Sequence, residues 1–234
     1  MCALNVVKGM ELNMKIDVLT LFPEMFESFI NTSIIKRAII NNNVAINLVN
    51  IRDFSDYNNS QVDDTPFGGG NGMVMMCDPV FKALESVKTP ESYVIIMTPR
   101  GKIYNQSYSK EYKKLKHLII ICGHYEGFDE RIYSLANEEI SIGDFVLTGG
   151  EVPAMCVMDS IIRLIPGVIT EGSLESESFE DNLLDYPVYT KPRVYNGMEV
   201  PEILLSGNHA KIKEYREKER LRITKEKRPD LLGR

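Results

Sequence analysis

Three glycine-bearing loops, each next to a strongly apolar run, constrain this chain more than any other feature. Thr98–Gly101 (TPRG) follows the run Tyr93–Met97, and Cys122–Arg131 (CGHYEGFDER) follows Leu118–Ile121. Ser141–Glu151 (SIGDFVLTGGE) opens into an apolar helix at Pro153. Glycine lets a backbone approach a ligand closely and adopt positive φ, at an entropic cost to folding. Loops of this kind at the ends of buried strands point to one pocket built largely from main chain, and to a nucleotide-like ligand.

The apolar patterning supplies the frame for those loops. Ile16–Leu21, Val44–Asn50, Tyr93–Met97, Leu118–Ile121 and Phe145–Leu147 read as strands, being rich in Val and Ile or other apolar residues. Helical patterns fall between and after them, at Glu24–Asn41, Pro79–Val87, Ser107–Lys116, Asp129–Ala136 and Pro153–Ile165. Alternating strands and helices predict an α/β fold with a parallel sheet. In the last helix Pro153 takes the first position and Pro166-Gly167 the stop. After Gly167 the pattern changes: Thr170–Asp185 is polar, acidic and Ser-rich, and Tyr186–Pro201 carries Pro187, Pro192, Gly197 and Pro201. His209–Thr224 reads as a charged amphipathic helix with Ile212, Tyr215 and either Leu221 or Ile223 on its apolar face. A domain boundary is therefore expected in the acidic stretch.

Composition excludes several classes. No apolar run approaches the roughly 20 residues that span a bilayer. Cys2, Cys77, Cys122 and Cys156 are scattered, without CxxC or a nearby His at metal-ligand spacing. They read as reduced thiols, which favours a cytoplasmic location. The net charge of −6 argues against indiscriminate nucleic-acid binding. The average hides an asymmetry: residues 171–186 hold six acids and no Lys or Arg, whereas residues 207–234 hold ten Lys or Arg against five acids. A basic tail on an acidic protein fits a polyanion as well as it fits a solvated helix of mixed charge.

Other residues carry two readings each. Val62–Met76 (VDDTPFGGGNGMVMM) lacks Lys-Ser/Thr after its glycines, so it is no Walker A loop. It is either a mobile surface connection or a loop closing over a substrate with Asp63, Asp64 and Phe67. Arg163 either pairs with Asp159 one turn back or points into a site as a fixed cation. Glu177 reads locally as a solvated carboxylate, and His124 as a structural hydrogen-bonder or an acid-base group. Met1–Asn13 has neither a long apolar core nor a small-residue cleavage site, so it is a poor signal peptide and reads as a dispensable extension.

From Met14 to Leu232 the chain closely resembles the bacterial tRNA (guanine-N1)-methyltransferases, the TrmD family of the SPOUT superfamily. The markers are MKIDVLTLFPEMF, VDDTPFGGGNGM, CGHYEGFDER, SIGDFVLTGGE, RLIPGV, LLDYPVYTKP, GMEVPEILLSGNH and RPDLL, in that order. The resemblance implies a parallel-sheet domain with a deep C-terminal trefoil knot at 14–169, a flexible interdomain linker at 170–186 and a small α-helical tRNA-binding domain at 187–234. Periodicity alone predicts no knot.

The same resemblance implies S-adenosylmethionine as methyl donor, bent within the knot. Met97, Thr98, Pro99, Gly123, Tyr125 and Glu126 would hold its adenine and ribose. Ile142, Gly143, Asp144, Phe145, Val146, Leu147, Gly149, Gly150 and Pro153 would complete the cradle. The substrate would be tRNA with G at position 37, and RNA contacts would fall on Asp64, Pro66, Gly68, Gly69, Gly70, Lys191 and His209. Two subunits would share each active site. Glu177 would remove the N1 proton and Arg163 would support it. Glu177 stands where the family pattern has Asp, which leaves Glu175 and Asp181 as fallback bases; Lys191 stands where the pattern has Arg, keeping charge but losing bidentate geometry. Dependence on Mg²⁺ is also implied, at a site formed jointly with tRNA rather than by an all-protein ligand cluster. Two other readings are a related SPOUT methyltransferase acting on another RNA site and a non-catalytic RNA-binding protein of the same fold.

Overall fold

The computed structural model describes residues 12–170, 172 and 177–233. The chain divides into two compact units, Met1–Ile169 and Thr170–Arg234. Most of the expected Met1–Asn13 extension, and Glu175, lie outside the described residues.

The first unit is built on a five-stranded sheet: β1 (Met14–Thr20), β2 (Val44–Asn50), β3 (Ser92–Ile103), β4 (His117–Cys122) and β5 (Glu138–Ser141). Their spatial order is β2-β1-β4-β3-β5, and every neighbouring pair is parallel. Central β4 (HLIIIC) is buried along its whole length. A strand covered on both faces has no reason to alternate, which is why it reads as a continuous apolar run. Side chains still point alternately to the two faces. Leu118, Ile120 and Cys122 join Ile16, Ile95 and Met97 in one core, against Val157, Met158 and Ile161 of α4 (Glu151–Ile162). Ile119 and Ile121 join Leu19, Val94 and Ile96 in the other, against Val80, Ala83 and Leu84 of α2 (Cys77–Val87). Full burial of each such side chain contributes about 1.5–3 kcal/mol, so the sandwich of sheet between helices is the main source of stability.

Midway along β1, Asp17 is fully buried. It accepts a hydrogen bond from Asn47 at 2.6 Å, forms an ion pair with Lys15 at 2.7 Å, and meets His117 Nε2 at 2.5 Å. His117 Nδ1 in turn lies 2.8 Å from Ser92 Oγ. These contacts join β1, β2, β3 and β4, so the buried carboxylate has the partners that burial demands.

Several local expectations differ from the structure. Glu24–Asn41 is not one helix. A 3-10 turn at Pro23–Phe26 and a single α turn at Glu27–Ile30 precede α1 (Ser33–Ile40). At the break, the side chains of Asn31 and Thr32 donate to the carbonyls of Glu27 and Ser28, at 2.8 and 2.6 Å. Such short polar side chains compete with the helix for its own carbonyls. α3 (Gln106–Tyr112) stops before Lys116, residues 130–135 form a 3-10 helix, and α4 begins at Glu151 so that Pro153 is third rather than first. Phe145–Leu147 is not a strand. The fifth strand is Glu138–Ser141, an edge strand whose acids are paired: Glu138 accepts from Tyr112 and Lys102, and Glu139 from Arg100.

The second unit carries α5 (His209–Lys227), capped by the Asn208 side chain accepting from Lys211 N. Its inner stripe includes Ile212, Tyr215 and Ile223, while Leu221 is exposed and the most buried positions are Arg220 and Thr224. Residues 177–186, expected as part of a flexible linker, are hydrogen-bonded to this helix. Leu184 N donates to Thr224 Oγ1 at 2.9 Å, and Arg220 donates to Leu184 O and to both oxygens of Asp181. Arg216 stacks on the Tyr186 ring, with the guanidinium carbon 4.6 Å from its centroid.

The Arg220 guanidinium holds the Asp181 carboxyl below the usual carboxylate range. A depressed folded-state pKa stabilises above the unfolded value and is lost as pH falls through the folded one. Asp181→Asn is expected to cost about 1 kcal/mol at neutral pH, a small amount because Asp181 is half-exposed and screened. The deficit in melting temperature against wild type should shrink as pH drops below the ordinary Asp range near ~3.9. A deficit independent of pH would show that the ion pair is not its source.

Candidate active site

The second and third glycine loops meet at the C-terminal ends of β4 and β5, the ligand-binding end of an open parallel sheet. Thr98–Gly101, expected as a loop after a strand ending at Met97, is instead an irregular stretch inside β3. After Met97, β3 slips register against β5, which pairs next with Lys102. After β4 the chain turns at Gly123–Gly127, with Tyr125 at φ +59° and Gly127 at φ +116°. After β5, Ser141 Oγ donates to Gly143 O at 3.0 Å, and Gly143 takes φ +152°. The second and third loops are joined directly. His124 and Gly149 form an antiparallel bridge, and Gly150 N donates to Gly123 O at 2.8 Å. This approach requires glycine, because a Cβ on Gly150 would sit 2.8 Å from Cys122 Cα.

These loops line a half-open cleft. Every residue that the family resemblance assigned to the cradle lines it except Asp144: Met97, Thr98, Pro99, Gly123, Tyr125, Glu126, Ile142, Gly143, Phe145, Val146, Leu147, Gly149, Gly150 and Pro153. Sequence reasoning missed His124, Gly127, Phe128, Tyr133, Ile140, Ser141 and Thr148 as wall residues. Most of these lie inside the quoted motifs, so neighbourhood was the available signal; Tyr133 and Ile140 carried none. Phe145, Val146 and Leu147 remain substantially exposed. The mixture of apolar side chains with main-chain groups suits a small ligand that carries an aromatic base.

The loop between Asp64 and Val74 rests against the second loop. Glu126 N donates to Met73 O at 3.0 Å and Met75 N to Gly127 O at 2.9 Å. Gly72 lies so close to Glu126 that an added Cβ would be 2.4 Å from its Cγ. Beyond that anchor the tip is open: Gly68, Gly69 and Gly70 all have positive φ, nothing lies within 4 Å of a Cβ placed on Gly68 or Gly69, and Phe67 is fully exposed. Asp64 accepts from Thr65 N at 2.7 Å. Neither Asp64, Pro66 nor Gly68–Gly70 lines the cleft. At the end of the second loop, the Arg131 guanidinium holds the Asp129 carboxyl well below the usual carboxylate range. Asp129 N also donates to Met75 O at 3.0 Å, which ties the two loops together again.

A family model described as tRNA (guanine-1)-methyltransferase TrmD matches residues 14–234. The chain is 57% identical over 218 residues to the tRNA (guanine-N(1)-)-methyltransferase of Malacoplasma penetrans, covering 93% of this chain and 96% of that one. Identity to the protein of the same name from Ruminiclostridium cellulolyticum is 55% over 226 residues, covering 94% and 97%. For the Staphylococcus epidermidis protein it is 54% over 222 residues, covering 94% and 91%. The chain belongs to the TrmD family.

In this TrmD-family chain the residues expected to act on RNA are distributed over both units. Arg163 is the half-buried C-terminal cap of α4 and is not among the cleft-lining residues. Glu177, Lys191 and His209 belong to the second unit, Glu177 half-buried, Lys191 exposed and His209 the exposed first residue of α5. Among the described residues no group of three or more His, Cys, Asp or Glu is placed to hold a metal ion, and no helix is long and apolar enough to cross a membrane.

Proposed function

We propose that this protein methylates N1 of the guanosine at position 37 of tRNA, using S-adenosylmethionine. The observation that carries the reading is the cleft made by three glycine-bearing stretches on adjacent parallel strands, in a chain of the TrmD family. The lining fits the donor: glycine-rich main chain and apolar side chains, with a few polar groups among them, make up the walls, the mixture expected of a small-molecule site. When bound there, S-adenosylmethionine would supply a methyl group on an electron-poor sulfonium.

N1 of guanine carries a proton at neutral pH and lies on the Watson–Crick edge. A base must remove that proton, and the nucleobase must leave its stack to be reached. Glu177 takes the role of base. Asp181 is a poorer acceptor, because its carboxylate already serves Arg220 and is held below the usual range. Arg163 would face the negative charge that develops on O6 as N1 loses its proton. Lys191 and His209, with the exposed Gly68–Gly70 loop, would steer the anticodon arm.

The geometry of α4 favours sites shared between two copies. Pro153 lines the cleft and Arg163 caps the other end of the helix. Ten residues at about 1.5 Å each separate them by about 15 Å, beyond the reach of one side chain. An Arg163 that serves a cleft would then serve the partner's. The close contact of Gly149–Gly150 with Cys122–Gly123 fits a knotted crossing of the chain. A role for Mg²⁺ would arise from ligands supplied jointly by protein and tRNA.

The test is methyl transfer to two tRNA transcripts that differ only in G or A at position 37. Methylation confined to the G37 transcript is expected. Equal methylation of both would move the reaction to another RNA site, and activity on neither, with folded protein, would favour a binding module.

A further inference from the structure

Arg100 does not line the cleft, yet it belongs to the first glycine stretch and bonds to the end of the second loop and to the strand that leads into the third. It sits in the stretch of β3 where pairing with β5 slips between Met97 and Lys102. Next to it, Gly101 is pressed on the β5 backbone; an added Cβ would lie 2.4 Å from Ile140 N. Arg100 donates through Nε and Nη2 to Glu139 of β5, at 2.6 and 3.2 Å. Through Nη1 it donates to Glu130, at 2.8 Å, at the start of the 3-10 helix into which the second loop runs. The guanidinium so fixed lies over the Tyr133 ring, its central carbon 3.4 Å from the ring centroid. Tyr133 lines the cleft and meets Phe128, another wall residue, edge to face at 5.8 Å.

We propose that Arg100 is a positioning residue for the donor: it fixes the Tyr133 ring as a wall of the cleft and thereby sets donor affinity rather than the rate of transfer. The inference rests on the reading of this cleft as the S-adenosylmethionine site. The two carboxylates hold the guanidinium in one orientation, and the guanidinium face then fixes the plane of the ring. A solvent-exposed ion pair acting alone would contribute little and would have no reason to alter ligand binding. The stack on a cleft residue gives it a route to do so.

Calorimetric titration of S-adenosylhomocysteine into wild type, Arg100→Met, Arg100→Lys, Tyr133→Ala and the Arg100→Met/Tyr133→Ala double variant tests this. Arg100→Met, which keeps the apolar stem, is expected to weaken binding about fivefold. Its KM for the donor should rise by a similar factor while kcat at saturating donor stays within about twofold. Arg100→Lys should recover part of the affinity, retaining the charge without the fork. The double variant should bind no more weakly than Tyr133→Ala, because Arg100 acts through the ring. Wild-type affinity in Arg100→Met, or losses that multiply in the double variant, would overturn the positioning role alone. Failure of the wild type to bind S-adenosylhomocysteine would overturn it together with the reading of the cleft. If Arg100→Met does not fold, as judged by thermal melting, the Lys variant and the Tyr133→Ala background carry the same comparison.

Discussion

Glu177→Gln is expected to slow methyl transfer to a G37 tRNA about a thousandfold, within the range that general bases contribute. The amide matches the carboxylate in shape but cannot accept the N1 proton. Glu177 is half-buried, its carbonyl accepts from Glu180 N at 3.3 Å, and the segment it begins is tied to α5 through Asp181 and Leu184. The backbone around the substituted side chain is therefore held by contacts that the change leaves alone. S-adenosylhomocysteine affinity should stay at the wild-type value, and Glu177→Asp should retain activity. Turnover undiminished in Glu177→Gln would move the base to another carboxylate, with Glu175 ahead of the Arg220-bound Asp181.

Gly150→Ala is expected to abolish measurable donor binding and to lower the melting temperature by several degrees. The added methyl would meet Cys122 Cα at 2.8 Å and Gly123 N at 2.9 Å. Both are main-chain atoms at the end of the fully buried β4, so no flexible side chain can swing aside. Relief must open the Gly150–Gly123 hydrogen bond that joins two walls of the cleft. Overpacking of this kind costs about 1–3 kcal/mol, or roughly 2–4 °C per kcal/mol for a chain of this size. Gly68→Ala is the control: it is strained by its φ of +90° but meets nothing within 4 Å, and it should leave donor affinity unchanged. Wild-type affinity in Gly150→Ala would mean that the joined loops are not the donor's cradle.

The parts of the fold written plainly in the sequence are those where one physical demand dominates. The run Leu118–Ile121 announced a buried strand because both of its faces are covered. The glycine loops announced a cleft because the chain passes itself there at distances that no side chain tolerates. β5 was illegible for the opposite reason. It lies at an edge, and its two acids are satisfied by Lys102, Tyr112 and Arg100 from distant parts of the chain. Phe145–Leu147 looked more like a strand than β5 did, since exposed apolar residues beside a cleft have the composition of a core strand. In α5 the helical period was readable, but the buried positions are Arg220 and Thr224. Partners forty residues upstream satisfy them, and local pattern cannot supply those partners. The roles proposed for Arg163 and Glu177 came from the resemblance of whole motifs, because local pattern left Arg163 with two readings and Glu177 as one acid among six.

The crowding at Gly123, Gly149 and Gly150 bears on how this cleft tolerates sequence change. Side-chain space at each of these positions is already taken, by Phe128, by Glu151 and His124, and by the β4 backbone. Variation there damages the walls before it can reshape them. Room to alter ligand preference is left at wall residues with freer surroundings, such as Phe145, Val146 and Leu147. An inhibitor anchored on the crowded main chain would meet few escape substitutions, whereas one leaning on the exposed apolar rim would meet many.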